Sequence, residues 1–157
     1  YGETFSDDLY QDTIGDFTYI RSVKTRSGLM GDEISLGDDL YVKYGQRTKL
    51  LLSKRQIYHG SIQGLDDGIA CLGSLNIDGY VDKRGYVYVM GIDTLYVIKG
   101  ETVIGKISGL KDKQEVIMFS NDQDTYLFIP KQSNFPNIET VPLEDRFIES
   151  KYKIILP

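Results

Sequence analysis

The chain has 157 residues, a hydrophobic content of 41%, and a formal net charge of −5 with a pI near 4.9. That length can bury about 70% of its unfolded surface in a core, and the acidic balance with dispersed Lys and Arg argues against nucleic acid or an anionic membrane surface as partner, because both need a clustered positive field. The one cysteine, Cys71, excludes an intramolecular disulfide and a zinc cluster, so the core must be self-sufficient.

No stretch is apolar enough to suggest membrane insertion, and the N-terminus lacks the charged-then-apolar pattern of a signal peptide. The first residue is Tyr1 rather than Met, which leads us to expect a processed chain or a piece of a longer one. Compartment stays open: a cytosolic protein and a virion or cell-surface protein both fit a chain without disulfides. Twelve Tyr beside six Phe and no Trp form a β-leaning aromatic set.

In chain order, residues 1–15 carry Asp7, Asp8 and Asp12 with little apolar periodicity and read as an acidic N-terminal arm. Alternation begins with Phe17 and Tyr19 and runs to Val23, a first strand, followed by the connection Ser27-Gly28-Leu29-Met30-Gly31. Glu33-Ile34-Ser35-Leu36-Gly37 then leads into Leu40-Tyr41-Val42-Lys43-Tyr44-Gly45, a strand with a turn at its glycine. The segment Leu50 to His59 is expected to form a longer hairpin with Ser53-Lys54-Arg55-Gln56 at its tip, a short helix being the alternative.

Further along, Tyr80-Val81, Asp82-Lys83-Arg84-Gly85 and Tyr86-Val87-Tyr88-Val89 read as a hairpin whose glycine takes the left-handed position. Leu95-Tyr96-Val97-Ile98-Lys99-Gly100 repeats the earlier Leu-Tyr-Val phrase and is followed by a strand from Thr102 to Ile107. Strands are also expected at Ile69 to Leu72, Glu115 to Phe119 and Asp124 to Ile129, the last a partial third copy. Past Pro130, Pro136 and Pro142, residues 142–150 can form one or two helical turns before a final strand from Tyr152 to Leu156, whose apolar Lys153-Ile154-Ile155-Leu156 run requires a partner.

The duplicated phrase is the strongest guide to architecture, because it implies that one supersecondary unit packs against copies of itself. The expectation is an all-β chain of antiparallel sheets built from repeated hairpins, arranged as a β-sandwich or a partial propeller-like stack, with at most short helical turns. Units of about 45 residues resemble propeller blades in architecture, yet no blade signature is present and the chain supplies too few for a closed ring. The division follows as 1–15 arm, 16–130 repeated hairpin domain and 131–157 Pro-punctuated C-terminal segment.

Chemistry-bearing motifs are scarce. His59 is the lone histidine, Cys71 sits in an apolar run, and none of the 16 glycines completes a phosphate-binding fingerprint. Asp38-Asp39, Asp66-Asp67-Gly68 and Asn121 to Asp124 read as turn chemistry, and Asn76 to Asp82 supplies only part of a calcium loop. No catalytic residue, cofactor or metal site is assigned. The reading is a non-catalytic binding or assembly module, such as a structural or attachment component of a phage or virus particle, working with a protein partner or by self-association. Its candidate surface is the segment that the first unit has in excess, with Lys54, Arg55, Tyr58 and His59. The alternatives are a carboxylate- or metal-dependent hydrolase and a glycan-binding domain using Tyr41, Tyr80, Tyr86, Tyr88 and Tyr96.

Overall fold

The computed structural model describes residues 4–28, 33–55, 62–66, 69–70, 75–91, 94–110, 116–130 and 148–156. These residues are all-β. The strands are β1 (Thr4–Ile14), β2 (Phe17–Ser27), β3 (Glu33–Tyr44), β4 (Arg47–Arg55), β5 (Ile62–Asp66), β6 (Ile69–Ala70), β7 (Gly79–Val81), β8 (Val87–Met90), β9 (Leu95–Lys99), β10 (Thr102–Ile107), β11 (Val116–Ser120), β12 (Thr125–Pro130) and β13 (Ile148–Ile154).

They form three sheets. Sheet I is the meander β1-β2-β3-β4 and sheet II the meander β7-β8-β9-β10, while sheet III has the order β13-β12-β11-β5-β6. Every pair is antiparallel except β5 with β11, whose parallel pairing needs a long crossover that the whole of sheet II supplies.

Alternation along β8 and β9 explains the stacking. Val87, Val89 and Ile98 face one way and meet Tyr19, Leu40 and Val42 of sheet I, with Ile77 beside them. Tyr88, Met90, Leu95 and Val97 face the other way and meet Val116, Met118, Leu127 and Ile154 of sheet III. Sheet II is therefore the middle layer of a three-layer β-sandwich, and all four residues of β8 are buried.

Both copies of the Leu-Tyr-Val phrase occupy the same place in a hairpin. Gly45 and Gly100 each open a two-residue loop at φ near +60°, as Gly15 does between β1 and β2, and the residues after them have negative φ. That is the type II′ geometry, which requires φ > 0 at the first loop position and follows the twist of the flanking strands. Gly85 also has positive φ, as expected for the Asp82–Gly85 turn.

The structure corrects several expectations. Residues 4–14 form β1, paired with β2 along its full length, where an arm was expected. An edge strand needs only one neighbour, so its exposed side chains can be polar on both faces. Glu33–Gly37 and Leu40–Tyr44 make one continuous strand, with a bulge opposite Lys24/Thr25. Ser53, Lys54 and Arg55 do not form a hairpin tip but continue β4 against β3, two register shifts absorbing the Leu50-Leu51-Leu52 run. Residues 148–150, expected to be helical, begin β13, and residues 142–147 lie outside the described residues.

Candidate functional site

Among the described residues, the edges of sheets II and III frame an open concavity. β10 ends sheet II and β13 ends sheet III, and between them lies an open groove of about 600 Å³. Its floor is apolar, made by Val97, Ile104, Ile107, Ile154 and Leu156, an outward continuation of the core between the two layers. Lys106 and Lys153 line it as well, Lys153 paired with Asp124 at 3.3 Å. Beside Ile154, which is buried, Ile155 and Tyr152 stand 80% and 52% exposed. The terminal apolar run thus finds half its partner inside the domain.

The backbone of β10 is set for pairing. Lys99 and Thr102 flank the two-residue loop and form the closing hydrogen-bonded pair, so the next pair, Ile98 with Val103, is the non-bonded type. The bulge at Ile104-Gly105 places two residues opposite Val97, after which Lys106 opposite Tyr96 is again non-bonded. The N–H and C=O groups of Val103 and Lys106 therefore point away from β9, toward the open edge. A Cβ at Gly105 would meet nothing within 4 Å, so the backbone is open to approach there.

The buried acids serve the layers. Asp82 accepts from the Arg84 and Tyr86 amides at 2.9 and 3.0 Å, and from the Tyr88 and Thr125 hydroxyls at 2.8 Å each, tying sheet II to sheet III. Burial, then the Asp82 charge, pushes the Tyr88 phenol up from its ordinary pKa. Between sheets I and II, the buried Arg21 donates to Asp38, to the Ile77 carbonyl at 3.1 Å and to Asp78 at 3.1 Å. Asp12 accepts from the Asn76 and Ile77 amides at 3.0 and 2.9 Å. Asp78 and Asp82, read in sequence as parts of one calcium loop, are thus drawn to opposite faces of the middle sheet.

The tyrosines are dispersed. Tyr80 and Tyr88 lie in the core, their rings 6.1 Å apart and their hydroxyls bound to Ser120 and Asp82. Tyr41 lies on the outward face of sheet I, and Tyr86 sits under the Arg84 and Lys99 side chains at 5.4 and 4.7 Å. They do not make a common exposed platform.

Of the residues singled out in sequence, Lys54 and Arg55 lie at the end of β4, Arg55 opposite Asp38 in register, while Tyr58 and His59 fall outside the described residues, as does Cys71. The groove was missed because its walls come from strands about fifty residues apart in sequence, and only the apolar run at Ile154 to Leu156 signalled one of them. Comparison with protein-family models, curated proteins and solved structures finds no match for this chain.

Proposed function

We propose that the chain is a non-catalytic binding or assembly module that takes an extended polypeptide by strand addition to β10, in the groove between β10 and β13. The carrying observation is the coincidence of an outward-facing backbone ladder at Val103 and Lys106 with an apolar floor beneath it. Strand addition draws affinity from main-chain hydrogen bonds and specificity from pockets for alternate side chains, and the groove offers both. Lys106 favours an occupant that alternates apolar residues with acidic ones, while Lys153 is paired with Asp124 at 3.3 Å.

The buried carboxylates Asp38 and Asp82 are committed to structural partners, which speaks for binding over hydrolysis. A structural or attachment component of a phage or virus particle, or of another multimeric assembly, is the setting that suits such a module.

The test is a labelled peptide of alternating valine and glutamate, titrated against the protein by fluorescence anisotropy. Lys106→Pro removes an outward N–H without touching the β9–β10 ladder, so it should weaken binding at least about tenfold, with Lys106→Ala closer to wild type. Equal affinity of wild type and Lys106→Pro would contradict strand addition.

A further inference from the structure

A second concavity, sharing no lining residue with the groove, lies where the turns of sheets I and II meet. Its volume is about 490 Å³, within the ~300–1,000 Å³ typical of small-molecule pockets. The β1–β2 loop, the Asp82–Gly85 turn and the β9–β10 loop frame it, and each contributes a glycine of positive φ: Gly15, Gly85 and Gly100. The left-handed backbone that these turns need thus also keeps the mouth free of side chains. A Cβ at Gly85 would stand 3.2 Å from the Lys99 ammonium, and one at Gly100 3.1 Å from the Phe17 ring.

The apolar wall comes from sheet I. Ile14 and Phe17 are half-buried there, and Tyr19 beside them is buried with its hydroxyl donating to the Gly100 carbonyl at 2.9 Å. Two charges complete the lining, one from each sheet. Asp16, exposed on the sheet I side, makes no hydrogen bond or ion pair among the described residues. Lys99, exposed on the sheet II side, donates to the Arg84 carbonyl at 2.9 Å, which uses one of its three ammonium hydrogens.

This charge pattern selects its ligand. A simple anion drawn to Lys99 meets the Asp16 carboxylate, and a simple cation drawn to Asp16 meets the Lys99 ammonium, so each loses at one wall what it gains at the other. A zwitterion complements both. An α-amino acid carries its ammonium and carboxylate on one carbon, which leaves its side chain to cover Ile14 and Phe17.

We propose that this cavity binds a free α-amino acid with a large apolar side chain, its ammonium toward Asp16 and its carboxylate toward Lys99. The site is independent of the polypeptide groove, and an occupant ties sheet I to sheet II.

Titration of isotope-labelled protein with L-phenylalanine, followed by amide NMR shifts, tests it. The shifts should saturate and centre on Gly15, Asp16, Gly85 and Gly100, with Val103 and Lys106 of the groove unmoved. L-phenylalaninamide lacks the carboxylate, N-acetyl-L-phenylalanine the ammonium and glycine the side chain, and each should bind at least about tenfold more weakly. Asp16→Asn, at a position with no described partner to lose, should weaken L-phenylalanine at least about threefold, the scale of an exposed ion pair. No saturable shift at the cavity residues, or binding of the two blocked derivatives as tight as that of L-phenylalanine, would overturn the proposal.

Discussion

Asp82 shows how much one buried side chain can organise. Its two oxygens satisfy two backbone amides of its own turn and two hydroxyls, one of them Thr125 on the neighbouring sheet. Asp82→Ala strands those donors in the core, and urea denaturation should show a loss of about 3–5 kcal/mol. The turn role of Asp82 was legible in the hairpin pattern, whereas its bond to Thr125 was not, since 43 residues separate them. Tyr19, fully buried with its hydroxyl donating to Gly100 O at 2.9 Å, has its pKa pushed up by burial to about 12 from an ordinary 10. The folded state therefore holds the phenolic proton more tightly than the unfolded one. Its contribution is intact below pH 10 and is lost as pH rises through 12, about 2–3 kcal/mol in all, with Tyr88 acting in the same direction. Denaturation midpoints across that range should fall, and Tyr19→Phe should flatten the slope.

Among elements, the β9–β10 and β3–β4 hairpins share one turn geometry but not one environment. A Cβ at Gly45 would meet nothing within 4 Å, while one at Gly100 would lie 3.1 Å from the Phe17 ring. Alanine at either position carries the strain of φ near +60°, about 1–2 kcal/mol. Gly100→Ala should cost measurably more than Gly45→Ala in thermal unfolding, because it also lifts the hairpin off Phe17; equal losses would mean that the contact is immaterial. These hairpins were legible because alternation and glycine placement are local signals. The first strand was not, because β1 is a polar edge that presents no apolar stripe for periodicity to find. The continuation of β4 through Arg55 was also hidden, since three consecutive leucines fit a strand only where bulges in β4 itself take up the register.

At the scale of the molecule, the all-β class was legible from composition and alternation, but the stacking of three sheets was not. Which face of a strand meets which layer is decided by long-range packing, and the parallel β5–β11 pair joins strands that the whole of sheet II separates in sequence. Because sheet II is covered on both sides, amides of Val87–Met90 should exchange with solvent only through global unfolding, and those of β1 at a lower opening free energy. The same layering leaves β10 and β13 as the open margins that frame the groove. The most direct measurement of its use is hydrogen exchange at Val103 and Lys106, with and without the valine–glutamate peptide. Strand addition requires both amides to pass from fast exchange to protection on binding; continued fast exchange at both, with the peptide bound, would contradict it.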